Sequence, residues 1–336
     1  MAQPDRRNLA WIGGPLLALI SLLVVTSIAE VVLRVQYARR LDRILARDPT
    51  RELCTEADTD LIYRYAPNRC GHNAAGYRDR ERTLEKPEGR QRLVVLGDSV
   101  AVGSGVEVAE RFDQATVDAL ARAGVAAEAV NLARTGYSTS QELFLLETEA
   151  YRYAPDLVVW SYVLNDPADP VHHNANGRLG RFYVRPRVHV WHALERLHFK
   201  LRERWAARGC DDEFHRLIHC AYADEVAASI ARIGELAAQH ATPTLFVIHP
   251  VLEADRELVD SSFAELHASL AAQAEAAGLA VVDLLPIYAA HGKEAVRQEV
   301  EGWFDPWHPN AEGHALAGEA IAAAATPLLR AQLADR

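Results

Sequence analysis

Only three lysines, Lys86, Lys200 and Lys293, stand among the 36 basic residues of this 336-residue chain, and no run of basic residues occurs. Against 46 acidic residues the formal net charge is −10, so the chain lacks the basic patch or stripe that a nucleic acid requires. Cysteine is also scarce: there are four, none in Cys-x-x-Cys spacing, which argues against a zinc site. No segment repeats with a period of 20–50 residues, so solenoids and propellers are not indicated. Gly-x-Ser-x-Gly does not surround Ser99, which excludes the usual α/β-hydrolase elbow. Gly103-Ser-Gly105-Val-Glu-Val lacks the third glycine of a dinucleotide fingerprint.

Hydrophobic residues are plentiful, at 49% of the chain. The stretch from Trp11 to Ala29 carries no charge, and Val31-Val32-Leu33 extends it past Glu30. A bilayer core takes about 20 apolar residues, whereas the apolar part of a secretory signal takes about 7–15. Residues 11–33 therefore read as an uncleaved transmembrane anchor behind a short tail, 1–10. The small-x-small triplet Ser27-Ile28-Ala29 leaves a cleaved signal as the alternative. Residues 30–47 continue as an amphipathic stalk that Asp48-Pro49 ends.

The two cues to orientation disagree. Arg6 and Arg7 precede the span, and Arg34, Arg39, Arg40, Arg43 and Arg47 follow it. Counted naively, the positive-inside rule leaves the large domain in the cytoplasm. The cysteines argue the reverse, because Cys54 with Cys70 and Cys210 with Cys220 form two close pairs suited to disulfides in an oxidising compartment. Four cysteines allow three connectivities. Pairing by proximity is the expectation, and four unrelated buried thiols the plain alternative. Export is favoured, giving a single-pass cell-membrane protein with its large domain on the periplasmic side. Such an anchor permits an integral-membrane partner.

Residues 50–90 read as irregular, punctuated by Pro67, Gly71, Gly76, Pro87 and Gly89, so 34–90 form a stalk and lead-in. From residue 91, apolar runs at 92–96, 127–132, 157–163, 244–248 and 280–284 alternate with alanine-rich helical stretches at 110–123, 138–151, 224–240, 261–277 and 311–333. Strands apolar throughout, alternating with helices, imply a parallel sheet covered on both faces. Its sites lie at the carboxyl ends of the strands. This domain, 91–335, is interrupted at about 166–222 by a segment without strand alternation. The insertion holds His172, His173, His189, His192, His198, His215 and His219, half of the chain's 14 histidines. No His-x-x-x-His pair with a carboxylate on one helix face is evident among them, so no metal is expected. Trp191, Leu194, His198, Leu201 and Trp205 recur at helical spacing, among Arg187, Arg196, Lys200, Arg202, Arg204 and Arg208. Such a basic amphipathic helix suits a membrane surface, a groove for an anionic glycan, or packing on the domain with a solvated charged face. The insertion could also cover the site.

Four fragments carry the chemistry: Gly97-Asp98-Ser99, Asn131 to Gly136, Val163-Leu-Asn165-Asp166, and Asp305-Pro-Trp-His308. Ser99 either caps the next helix or is a nucleophile held at a strand end. A serine hydroxyl needs a base, which His308 could supply, with Asp305 fixing its tautomer. The oxyanion formed on an ester needs donors: the Ser99 N–H, the Gly136 N–H and the Asn165 side-chain amide. Taken singly, each fragment has an ordinary reading as a cap, a turn glycine, a turn or a helix start. Their order and common placement at strand ends are harder to explain that way. His314 reads as a packing or capping residue.

These blocks resemble the SGNH hydrolases, also called GDSL esterases. Gly97-Asp98-Ser99 matches the nucleophile block, Gly136 the glycine block, Asn165-Asp166 the asparagine block, and Asp305-Pro-Trp-His308 the Asp-x-x-His block. The resemblance implies a three-layer α/β/α, flavodoxin-like fold around a mostly parallel five-stranded sheet, here behind a transmembrane helix. It also implies a Ser99–His308–Asp305 triad that cleaves carboxylic esters with no metal or cofactor. An O-acylated glycan or a lipid is the expected substrate class. O-acyl transfer on envelope polysaccharide, and a silent glycan-binding module, are the alternatives. Asn73-Ala-Ala-Gly76-Tyr-Arg-Asp-Arg-Glu81 resembles a lead-in of membrane-tethered bacterial members. One departure stands out: Val163 occupies the place of the glycine in the usual Gly-x-Asn-Asp.

Overall fold

A computed structural model describes residues 7–46, 54–58, 60–167, 186–206, 208–211, 213–300 and 302–334. The apolar run and its stalk form one unbroken helix, α1 (Arg7–Leu45). Its portion Gly14–Arg43 is a candidate membrane span, with a mean hydropathy of 2.6 over a window that is not buried against the rest of the chain. A core helix would hide such a face, yet Leu16, Leu23 and Val25 are exposed.

The lead-in departs from expectation. Residues 50–90 are not irregular throughout, because β1 (Thr55–Asp58) and β2 (Ile62–Tyr65) pair antiparallel. Strands of four residues are too short for alternation to register in the sequence, and only Tyr63 and Tyr65 of β2 are buried. The disulfide Cys54–Cys70 brackets this hairpin.

The alternation from residue 91 matches the expectation. In order come β3 (Gln91–Gly97), α2 (Ser99–Val102), α3 (Phe112–Arg122), β4 (Ala127–Asn131), α4 (Thr139–Thr148) and β5 (Leu157–Val163). Residues 168–185 of the insertion, with His172 and His173, lie outside the described residues. Two helices follow, α5 (His189–Ala206) and α6 (Phe214–Ala221), and the disulfide Cys210–Cys220 ties the loop between them to α6. The domain resumes with α7 (Ala223–Gln239), β6 (Thr244–His249), α8 (Ala264–Ala276), β7 (Ala280–Asp283), α9 (Leu285–His291) and α10 (Lys293–Val296). It closes with β8 (Arg297–Val300), β9 (Trp303–Pro309) and α11 (Ala311–Ala334).

The main sheet runs β4-β3-β5-β6-β7 and is parallel at every pairing. Side chains alternate across it. Leu93, Val95, Val159 and Val247 pack with Phe112, Leu120, Tyr288 and Ile321 of α3, α9 and α11. Val94, Leu96, Trp160 and Phe246 pack on the other side with Leu145, Ile230, Ile233 and Leu270 of α4, α7 and α8. Each such side chain fully buried is worth about 1.5–3 kcal/mol, so the strands satisfy two cores at once. The result is a three-layer sandwich whose strand order reverses at β3, where a doubly wound sheet opens its crevice.

Candidate active site

β3 ends at Gly97, where a Cβ would stand 2.9 Å from Ser161 Cβ of β5 and 2.8 Å from Ala101 Cβ. Only glycine lets the chain turn that close to its neighbour. Asp98 then caps α2, its Oδ1 accepting the Val100 N–H at 2.9 Å. The cap is therefore the aspartate, and the half-buried Ser99 hydroxyl is left for other partners.

The Ser99 Oγ lies 2.9 Å from His308 Nε2, and His308 Nδ1 lies 2.8 Å from Asp305 Oδ2. Asp305 Oδ1 accepts the backbone N–H groups of Trp307 and His308 at 2.9 and 3.1 Å. Burial opposes ionisation of Asp305. The His308 ring and these two N–H groups outweigh it and hold the carboxyl below its usual range. An ionised Asp305 accepts the hydrogen bond of Nδ1–H and so keeps the proton on Nδ1, which leaves Nε2 to present a lone pair to Ser99. Asp98 Oδ2 is also 3.0 Å from the Ser99 Oγ. A hydroxyl has one proton, so two acceptors compete for it at rest.

Gly136 and Asn165 follow β4 and β5, the two strands that flank β3. Their loops are tied to the same edge: the Arg134 N–H donates to Gly97 O at 3.2 Å, and the Thr139 N–H to Asp166 O at 3.0 Å. Gly136 has φ of +78°, a left-handed conformation that favours glycine. Asn165 is half-buried between the buried Leu164 and Asp166. The structure thus brings Ser99, His308 and Asp305 into contact and sets Gly136 and Asn165 at the same carboxyl edge of the sheet.

Residues 95–316, more than half of the chain, match the GDSL-like Lipase/Acylhydrolase family. The chain belongs to that family. It is a GDSL-type carboxylic ester hydrolase. Similar solved structures include LAE5, an α/β hydrolase enzyme from the metagenome of Lake Arreo, at 17% identity and a TM-score of 0.46, with 71% of this chain and 96% of that one covered. A mutant of Axe2, an acetyl-xylooligosaccharide esterase from Geobacillus, is similar at 15% identity and a TM-score of 0.43, covering 71% and 94%. The esterase EstA from Pseudoalteromonas sp. is similar at 12% identity and a TM-score of 0.43, covering 71% and 99%. No curated protein matches the chain.

In this GDSL hydrolase Val163 does not disturb the asparagine block. Its N–H donates to Asp166 Oδ2 at 2.7 Å and its carbonyl accepts the Asp166 N–H at 3.0 Å. Asp166 closes the turn, and the valine side chain is buried. His314 packs, as expected: it stacks on Phe112, its Nδ1 lies 3.3 Å from the Phe112 N–H, and burial lowers its pKa to about 4.

The histidine reading of the insertion needs one correction. His215 and His219 are spaced i, i+4 on α6, with Glu213 beside His215. The pair stands in the sequence itself as His215-Arg-Leu-Ile-His219, and among the described residues no group of three or more His, Cys, Asp or Glu is placed to hold a metal ion. Both nitrogens of His219 are engaged, Nε2 with the Tyr162 hydroxyl at 3.0 Å and Nδ1 with His215 O at 2.7 Å.

Several residues that support the site have no motif. Gln298 on β8 donates from Nε2 to Ser104 O at 2.8 Å and Pro309 O at 2.6 Å, tying the Ser99 loop to the strand that carries His308. Arg134, buried over the Tyr77 ring at 4.5 Å, donates to the Tyr137 hydroxyl at 2.7 Å under the Gly136 turn. Arg78 of the lead-in donates to the carbonyls of Val102, Gly103 and Val106 at 2.7–2.9 Å. The resemblance of that lead-in was the only signal for Arg78. Behind Ser99 sit three buried carboxyls, Asp98, Glu142 and Asp166. Burial, then the Asp98 charge, pushes Glu142 well up. Burial, then the charges of Glu142 and Asp98, does the same to Asp166.

Proposed function

We propose that the chain is a membrane-anchored serine esterase acting on an extracytoplasmic substrate, an O-acylated glycan or a lipid. The observation that carries this reading is the continuous contact from Ser99 through His308 to Asp305, at 2.9 and 2.8 Å. His308 Nε2 takes the Ser99 proton as Oγ attacks the acyl carbonyl. The Ser99 and Gly136 N–H groups and the Asn165 amide receive the oxyanion. His308 then returns the proton to the leaving alkoxide, and an acyl-serine remains. Water, deprotonated by His308, attacks that ester; the acid leaves and Ser99 regains its proton. Asp305 holds the ring and stabilises its cationic form.

The two disulfides support an oxidising compartment, and the exposed apolar length of α1 supports an anchor. The unit responsible for hydrolysis is then 91–335, carried by 11–33 through the stalk and lead-in. The test uses the full chain in detergent, with 4-nitrophenyl acetate, butyrate and octanoate as substrates. Hydrolysis that vanishes in Ser99→Ala is expected, and the chain-length preference sizes the acyl pocket. A folded protein that cleaves none of these esters would sink the reading.

A further inference from the structure

The esterase reading leaves the outer face of α5 unused. Trp191, Leu194, Leu197, Leu201 and Trp205 are 48–71% exposed. Steps of three and four residues keep them on one face of the helix. The other side meets the domain, where Phe199 and Arg202 line a cavity of about 100 Å³ with Thr139, Asp166 and Tyr222. This face, apolar apart from the exposed His198 within it, marks a contact on a soluble surface. The sequence left open whether this stripe packs on the domain, and its exposure shows that it does not.

The first turn of α5 fixes where that face lies. Glu30 of α1 accepts the Val190 N–H at 2.8 Å and lies 3.2 Å from His189 Nδ1. Arg34 donates to Arg187 O at 2.7 Å, and the Tyr37 and His189 rings meet edge to face at 5.3 Å. Glu30 and Arg34 are the first charged residues after the uncharged run. So α5 starts where the uncharged run of α1 gives way to the stalk, next to the exposed Val31, Val32 and Val35. The apolar surface of α1 continues onto α5. Lys200 and Arg204 are exposed along the same helix, and the exposed Arg208, just past its end, lies over the Trp205 ring at 5.1 Å. Aromatic and leucine residues on one face with basic residues beside them suit the headgroup–acyl boundary of an anionic bilayer.

We propose that α5 is an interfacial helix. Its Trp191–Trp205 face lies in the surface of the bilayer that α1 crosses, and its basic residues engage anionic headgroups. The proposal rests on the reading of α1 as a membrane span. Since α5 shares a cavity with Asp166, the neighbour of Asn165, it holds the catalytic edge at the bilayer. The esters within reach are then those borne by the membrane.

All four cysteines are paired, so Leu201→Cys in the full chain offers a unique thiol for an environment-sensitive fluorophore. Ala268→Cys, exposed on α8, is the control. Both are reconstituted into vesicles of phosphatidylcholine and phosphatidylglycerol. The label at 201 is expected to shift to the blue and to be quenched by nitroxides on the lipid acyl chains, while the label at 268 does neither. Trp191→Glu with Trp205→Glu removes the quenching, and pure phosphatidylcholine weakens it. A water-like, unquenched label at 201 in chains that float with the vesicles overturns the proposal. So does a blue shift without lipid quenching that grows with protein density, which means a second copy covers α5. Chains that fail to float overturn the span of α1 and this proposal together, an outcome that flotation alone reveals.

Discussion

Ser99 is available because its neighbour does the capping. Asp98 takes the Val100 N–H, and the serine hydroxyl turns to His308. The Asp305–His308 pair is local in sequence, three residues apart, so its contact was legible from spacing and residue type. The proposed oxyanion donors Gly136 and Asn165 were legible only as a set, since a turn glycine and a turn asparagine are common. On the proposed mechanism Asp305→Asn leaves the ring in place but no longer holds its tautomer, and kcat falls by about 10³–10⁴. Asn165→Ala removes one donor and lowers kcat by about 10²–10³. Steady-state kinetics on the preferred 4-nitrophenyl ester check both, with KM expected to move less than kcat. Gln298, Arg134 and Glu142 were not legible. What each does depends on segments far apart in sequence, as the Gln298–Ser104 bridge shows, and no local pattern marks such a partner.

At the scale of elements, the five parallel strands stood out because they are buried on both faces and so read as unbroken apolar runs. The two hairpins did not. β1 and β2 are four residues each, and the Asp305–His308 segment lies on β9, whose sequence reads as a turn with two prolines. That hairpin still shapes the candidate site, since β9 carries His308, the proposed base, and the β8 residue Gln298 fastens it to the Ser99 loop. Gln298→Ala withdraws the donor from both Ser104 O and Pro309 O. The expected result is a loss of about 10–10²-fold in kcat with little change in KM, as for a misplaced catalytic group. An unchanged melting temperature with that kcat loss separates positioning from unfolding. Equal losses in the melting temperature and in the folded fraction would assign Gln298 a structural role instead.

Across the whole molecule, buried ionisable groups set how stability follows pH, and they act in opposite directions. Burial lowers His219 and His314 to about 4 and His249 to about 3. An unfolded histidine titrates near 6.5. Below that pH the unfolded chain binds three protons that the fold refuses, so stability is complete above about 6.5 and falls as the pH drops. Glu142 and Asp166 do the reverse. Their folded pKa values are raised, so the fold keeps protons that the unfolded chain has released. Their contribution is full below the unfolded carboxyl pKa, about 4, and is lost as pH rises toward the folded values. Between about pH 4 and 6.5 the three histidines outweigh the two carboxyls, and stability climbs. Above about 6.5 the contribution of these three histidines is constant, and the two carboxyls lower stability as pH rises toward their raised folded pKa values. Urea unfolding of the disulfide-intact full chain in detergent, followed from pH 4 to pH 9, checks for a maximum near the histidine pKa of about 6.5. Glu142→Gln replaces an acid that must stay protonated with a neutral isostere. It should flatten the alkaline limb and steepen the rise between about pH 4 and 6.5, where Glu142 otherwise opposes the histidines. An alkaline limb identical to that of the unaltered chain would mean that Glu142 ionises freely and is not the group whose proton the fold retains.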